Sequence, residues 1–273
     1  MASEVRFEPG LYRGAAGYYE RFRLPYPDAM IADLARRAAP SGRGRLLDLA
    51  CGTGQLAFPL RGWFAEVWAV DAEPGMIEVV RAKAAAVGAA RIRTVTASAE
   101  DLRAGPGSFE LIVIGNAFHR LRRAPVAERA RTWLEPGGGL ALCWSTSPWT
   151  GPRDWQRALD RVLRRWQDAL GASGRVPSGW NQPRRQDPDR DVVARAGFES
   201  AGRYDFPVEH HWTIPELAGH IRSTSFLPPP VLAGHAAEFD ADLTAELSRY
   251  TASERLTGTV SFAYELARKP ASA

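Results

Sequence analysis

The chain has 273 residues, 45% of them hydrophobic and 24% charged, with a net charge of +4. These totals fit a globular protein with a sizeable core and exclude a wholly disordered or collagen-like chain. Two cysteines are too few for a secreted disulfide framework, and their positions offer no metal spacing. No apolar stretch reaches ~18 residues, and no signal-peptide pattern opens the chain, so the expectation is a cytoplasmic protein that does not cross a membrane. The positive balance is almost all arginine, since only two lysines occur, Lys83 and Lys269. No basic run is interleaved with aromatics, which argues against a nucleic-acid partner.

Residues 1–40 read as an N-terminal helical arm. It carries the aromatic segment from Tyr18 to Phe22 and, after Pro25 and Pro27, a helix capped by Asp28 and running to about Arg37. From Arg45 the chain alternates. Strands are predicted at 45–50, 66–71, 91–97, 110–115 and 139–145, with helices near 55–62, 74–87 and 125–134. Continuous apolar runs such as Leu111-Ile112-Val113-Ile114 suit a parallel sheet covered on both faces. Pro136 to Gly139 predicts a tight turn before the fifth strand. The segment 41–146 is therefore expected to be an α/β core.

Residues 147–200 read as a helical lid insertion. A helix is predicted from Asp154 to Leu170, then a Gly/Pro/Arg-rich loop, then a helix from Asp187 to Ala196 ended by Gly197. Residues 201–273 return to the sheet, with a strand at 204–209 and a final strand at 257–266. In that last strand Val260, Phe262, Tyr264 and Leu266 fall on one face. Helices near 214–222 and 230–250 form a second lid insertion between these strands. There are no internal repeats.

The segment Leu46-Leu47-Asp48-Leu49-Ala50-Cys51-Gly52-Thr53-Gly54 is a buried strand entering a glycine turn. A second apolar run, Val67-Trp68-Ala69-Val70, ends in Asp71. Ligands of open α/β sheets bind beyond the carboxyl ends of the strands, so these acids flank a nucleoside pocket. Gly52-Thr53-Gly54-Gln55-Leu56-Ala57 matches the dinucleotide fingerprint formally, which would make an oxidoreductase. Asp48 weighs against that: a carboxylate there would repel a pyrophosphate but favour an ammonium group or a ribose hydroxyl.

Five ordered segments carry a more specific likeness: LLDLACGTGQLA, VWAVDAEPGMIEVVRAKA, TASAEDL, FELIVIGNAFHRL and WLEPGGGLALCW. Together they resemble the class I S-adenosylmethionine-dependent methyltransferases. The nearer relatives are small-molecule enzymes of the trans-aconitate and ubiquinone-biosynthesis type. The likeness is close over residues 18–146 and loose beyond. It implies a Rossmann-like sheet of seven strands, mostly parallel with the last antiparallel, and S-adenosyl-L-methionine as cofactor.

The resemblance also implies roles for particular residues. Ala50, Gly52 and Gly54 let the backbone approach the methionine part of the cofactor, and Asp48 orients its amino group. Asp71 takes the ribose hydroxyls. Ala72 and Met76 pack on the adenine, and Ser98 and Ala99 reach its edge. Ser98 stands where relatives commonly have an acid. Asn116 lies beside the methionine portion. Tyr19 and Arg23 match a Tyr-x-x-x-Arg element that closes over the cofactor carboxylate.

His119, in the loop after the fourth strand, is the candidate general base, with a loop-fixing role as the alternative. Arg120 departs from a tryptophan common in relatives. It either tunes the pocket towards an anionic acceptor or is simply solvated. Of the adjacent His210 and His211, one lines the pocket or neither does, and no metal site is expected. Trp144, Trp149, Trp155, Trp166, Trp180 and Trp212 fall in or beside the lid. They suit a hydrophobic or planar small-molecule acceptor, or else form the lid's own core. The hydroxyls of Ser223 to Ser225 are candidates to touch substrate. Methyl transfer to oxygen in bacterial specialised metabolism is the favoured reading. A non-methylating cofactor-dependent reaction such as cyclisation and a transfer-RNA methyltransferase are the alternatives. The oligomeric state is left open.

Overall fold

A computed structural model describes residues 10–175, 186–251 and 256–271. Seven strands form one sheet: β1 (Arg45–Leu49), β2 (Glu66–Asp71), β3 (Ile92–Thr96), β4 (Phe109–Gly115), β5 (Leu134–Ser145), β6 (Glu199–Trp212) and β7 (Leu256–Arg268). Their order is β3-β2-β1-β4-β5-β7-β6. β1, β2, β3, β4 and β5 pair in parallel, and β7 lies antiparallel between β5 and β6. This is the expected α/β architecture.

The apolar strands are buried on both faces because alternate residues serve two cores. Leu46, Val67, Ala69, Leu111 and Val113 pack on one side against Met30, Ile31 and Leu34 of the helix Asp28–Ala38. Leu47, Leu49, Val70, Ile112 and Ile114 pack on the other against Val126, Ala127 and Ala130 of the helix Arg123–Trp133. In β7 the residues read as one face, Val260, Phe262, Tyr264 and Leu266, are all buried.

Asp28 is the first helical residue and makes no cap bond, Pro27 holding the cap position, and three further elements differ from their sequence reading. β5 begins at Leu134, and its segment after Leu134 bulges so that Phe109 pairs Leu134 while Leu111 pairs Gly139. The Pro-Gly turn thus lies inside the strand as a bulge. β6 spans 14 residues, well beyond 204–209, because it is an edge strand whose outer positions are exposed and polar. The helix expected over 230–250 is split into Pro229–Leu232 and Ala236–Leu247, with Ala233 at φ +38° between them.

Helices Asp154–Ala169 and Asp189–Arg195 stand between β5 and β6. Ile214–Arg222 and the split pair stand between β6 and β7. The strand order reverses between β1 and β4, and that switch point opens the crevice described next.

Candidate functional site

The carboxyl ends of β1, β2 and β4 meet at the switch point. β1 runs into a turn that takes three left-handed residues, Ala50 at φ +57°, Gly52 at +54° and Gly54 at +83°. Glycine adopts this region freely, and an alanine there is strained, as backbone at functional sites often is. Asp71 ends β2 and holds the turn. Its Oδ2 accepts the Gly52 N–H at 2.8 Å, and its Oδ1 accepts the Glu73 N–H at 2.9 Å. Burial raises the pKa of Asp71, against the lowering effect of these backbone bonds.

Asp48 is 1% exposed, and its Oδ2 accepts the Ala57 N–H at 2.8 Å. Burial pushes its pKa up to about 7, and the Asp71 charge adds to the rise. Asn116 follows β4 at φ +52°, a conformation asparagine tolerates better than most residues. Its side chain ties two strand ends together. Nδ2 donates to Tyr26 Oη and Ser145 Oγ, each at 3.2 Å, and Oδ1 accepts the Ser145 N–H at 3.0 Å.

Two adjoining cavities lie over these strand ends. The smaller, about 130 Å³, is lined by Ala50, Gly52, Asp71, Met76 and Leu121. The larger, about 300 Å³, is lined by Arg23, Phe118, His119, Trp144, Trp149 and Phe226, together with Ser145, Ser147 and Thr224. Tyr12, Tyr19, Asn116, Ala117 and Arg120 line both, so the two volumes share a wall.

The larger cavity is roofed by the N-terminal arm and the loop after the helix Ile214–Arg222. Arg23 donates to the Ser223 carbonyl at 3.3 Å, and its guanidinium lies 4.9 Å from the Tyr19 ring centre. Arg175 donates to the carbonyls of both Leu11 and Ser225. Arg120 donates to Ser225 Oγ at 3.2 Å and, through Nε, to His119 Nε2 at 3.2 Å. The Trp149 and Phe226 rings meet edge to face at 5.6 Å. Burial pushes the Tyr19 hydroxyl up to about 12, so it stays neutral.

Of the residues singled out by sequence, the structure brings Tyr19, Ala50, Gly52, Asp71, Met76 and Asn116 around the smaller cavity. Tyr19, Arg23, Asn116 and His119 line the larger. Asp48, Gly54, Ala72, Ser98 and Ala99 are in neither wall. Asp48 is committed to the Ala57 amide, and a Cβ at Gly54 would meet the Phe58 ring. Ser98 Oγ donates to Asp101 Oδ2 at 2.7 Å, while Ala99 is buried in the core.

His210 packs its ring on Trp212, and His211 bonds Thr257 Oγ1; neither lines either cavity. The tryptophans divide. Trp144 and Trp149 face the larger cavity, whereas Trp155, Trp166 and Trp212 pack in the helical layer and sheet core. Trp180 lies outside the described residues. Tyr12, which lines both cavities, was missed, because it sits in an irregular segment with no periodicity to mark it. Among the described residues no cluster of His, Cys, Asp and Glu could hold a metal ion, and no helix is long and apolar enough to cross a membrane.

A seven-stranded sheet with this order, a glycine turn after β1 and an acid ending β2 define the class I methyltransferase architecture. Residues 46–138 match the family model described as a methyltransferase domain. Over that segment the chain is similar to methyltransferases, and its fold is that of the class I S-adenosylmethionine-dependent enzymes. It is 32% identical over 165 residues to an uncharacterized methyltransferase of Mycobacterium tuberculosis, a match covering 58% of this chain and 61% of that protein. It is 36% identical over 115 residues to the demethylmenaquinone methyltransferase of Clavibacter sepedonicus, covering 41% of this chain and 46% of that one. The chain thus spans about three fifths or less of these relatives' length. Among solved structures, one from Anaeromyxobacter dehalogenans superposes with a TM-score of 0.62 at 20% identity, covering 92% of this chain and 98% of that one. The [4+2]-cyclase SpnF superposes with a TM-score of 0.54 at 18% identity, covering 91% of this chain and 84% of that one. At these identities the likeness concerns the fold.

Proposed function

We propose that the protein transfers the methyl group of S-adenosylmethionine to a small-molecule acceptor, with oxygen as the methylated atom. The observation that carries this reading is the pair of adjoining cavities at the switch point. The smaller would take the cofactor, and the larger, under the lid, the acceptor. Each Asp71 oxygen accepts one backbone N–H and keeps lone-pair capacity for a ribose hydroxyl. Met76 and Leu121 offer an apolar bed for the adenine. Tyr19, which lines both cavities, and Arg23, in the wall of the larger, would meet the methionine carboxylate. Asp48 would act from behind the glycine turn, and Gly54, Ala72, Ser98 and Ala99 would support the cofactor rather than line its cavity.

The bound cofactor supplies an electrophilic methyl on a sulfonium. That positive charge vanishes during transfer, so positioning and exclusion of water are the main demands on the protein. The roof of Tyr12, Trp149 and Phe226 serves both. A hydroxyl acceptor must also lose a proton, and His119 is the group placed to take it. Trp144, Trp149 and Phe226 favour a hydrophobic or planar acceptor. Arg120 can meet a negative group on it, provided that it exchanges its present partners. Two buried free thiols, Cys51 and Cys143, fit a cytoplasmic setting, and the arginine-rich composition fits a bacterial specialised pathway.

Calorimetric titration with S-adenosylmethionine tests the cofactor half, and folded protein with no binding at millimolar concentration would overturn it. Mass analysis of the product tests the reaction. A gain of one CH2 supports methyl transfer, whereas a rearranged product of unchanged mass would point to cofactor-assisted cyclisation.

A further inference from the structure

A third cavity, about 210 Å³, lies between the sheet and the helix Asp189–Arg195. Its floor is Leu140 and Leu142 of β5 with Leu266 and Ala267 of β7, and its roof is Val193 and Phe198. Leu140 and Leu142 share one face of β5, and Trp144 continues that face towards the acceptor cavity. The cavity opens to solvent past Arg190, Ala194 and Ser200, so an apolar occupant would displace water from its leucine-lined wall.

Three relationships join it to the acceptor cavity. Leu142 lines both. Trp144, in the wall of the acceptor cavity, stacks with Arg203 of the third cavity, whose guanidinium lies 5.1 Å from the ring. Asp189 lines the one and the next residue, Arg190, the other. Leu142 is thus the side chain common to both walls, with the Trp144 ring beside Arg203. The lining is mostly apolar, with Glu265 of β7 paired beside Leu142 and Arg203 of β6 paired beside Glu265, while Arg190 is exposed on the helix.

We propose that this cavity is an annex of the acceptor site that takes an apolar tail, so that the acceptor is amphipathic, with its methylated head under the lid and an alkyl-like substituent between β5 and the helix Asp189–Arg195. This rests on the methyltransferase reading of the two cavities above. It adds a length preference that an aromatic lid alone does not create. Each methylene seated in the annex should raise affinity about fourfold until the space is filled.

The test uses 4-alkylphenols, from 4-methylphenol to 4-octylphenol, titrated calorimetrically into the full chain saturated with S-adenosylhomocysteine. The expected result is affinity rising about fourfold per methylene over the first members and then levelling off. Ala194 lines the annex from an exposed position, so Ala194→Trp should fill it without disturbing the core. That variant should keep its affinity for S-adenosylhomocysteine and for 4-methylphenol while losing the length dependence. Ser200→Trp, from the opposite wall, provides the same test should Ala194→Trp fail to fold. With S-adenosylhomocysteine bound, a flat series, no binding of any member, or a slope unchanged in the filled variants would each overturn the annex. Failure of S-adenosylhomocysteine to bind would instead overturn the methyltransferase reading on which it rests.

Discussion

The ring of Tyr19 fills the space into which a side chain at position 52 would project. A Cβ built on Gly52 lies 3.2 Å from Tyr19 Cε1, and Gly52 also sits at φ +54°. The glycine turn and the N-terminal arm are therefore fitted to one another, and the turn admits neither a left-handed penalty nor an added methyl. Gly52→Ala incurs both, the first costing about 1–2 kcal/mol. The expected outcome is a fall of about tenfold or more in S-adenosylhomocysteine affinity, with the melting temperature lowered by several degrees. Calorimetry and thermal unfolding read the two separately. Unchanged affinity would detach this turn from the cofactor site.

Asp71 acts on the same turn from the opposite side. It accepts the Gly52 and Glu73 amides, one on each oxygen. Asp71→Asn keeps the shape but aims an NH2 group at one of these N–H donors, leaving a donor facing a donor. Bonds to a charged partner contribute about 1.5–3 kcal/mol, so cofactor affinity should fall by roughly 10- to 100-fold. Asp71→Ala should fall at least as far. An affinity within twofold of the parent in both variants would remove Asp71 from the cofactor site.

His119 tests the chemistry rather than the binding. Arg120 Nε donates to its Nε2 at 3.2 Å, so the imidazole has both a structural and a chemical role open to it. His119→Gln can still present an oxygen to Arg120 but cannot act as a base near neutral pH. If His119 is the base, both His119→Ala and His119→Gln lose about 10²- to 10⁴-fold in turnover, with S-adenosylhomocysteine affinity within twofold of the parent. Recovery of turnover in His119→Gln alone would assign the residue to holding the loop.

The parallel strands and the glycine turn were legible because each rests on a local rule: continuous apolar runs for β1, β2 and β4, and left-handed backbone for the turn. β6 was half-read because an edge strand pairs on one side only and carries exposed polar residues. The bulge in β5 follows from the pairing of Leu134 with Phe109, which no local pattern specifies. The roof of the site was the least legible part. Tyr12 lines both cavities, where its ring meets Tyr19 and Arg120 and the neighbouring Leu11 is tied to Arg175, relations that span residues far apart in the chain. Asp48 shows the converse limit. Its place before the turn was clear, but its commitment to the Ala57 amide was not.

Two buried groups give the fold opposing responses to pH. His220 donates through Nδ1 to the Phe22 carbonyl at 3.3 Å, and burial, helped by the charge of Arg23, holds its pKa down from 6.5 to about 3. Between those values the unfolded chain binds a proton that the folded chain does not, so this group makes stability fall as pH falls through the window. Asp48 is the reverse: burial raises its pKa from 3.8 to about 7. Across that window the folded chain keeps a proton that the unfolded chain has released, so this group makes stability fall as pH rises. Each slope reaches at most about 1.4 kcal/mol per pH unit, and the two nearly cancel where the windows overlap. Asp48→Asn retains an oxygen for the Ala57 amide and removes one of the slopes. Its unfolding free energy, measured by urea at pH 4.5, 5.5 and 6.5, should therefore rise with pH more steeply than that of the parent. Curves for the two proteins that run parallel would show that Asp48 is ionised in the fold, and His220→Phe should shift the balance the other way.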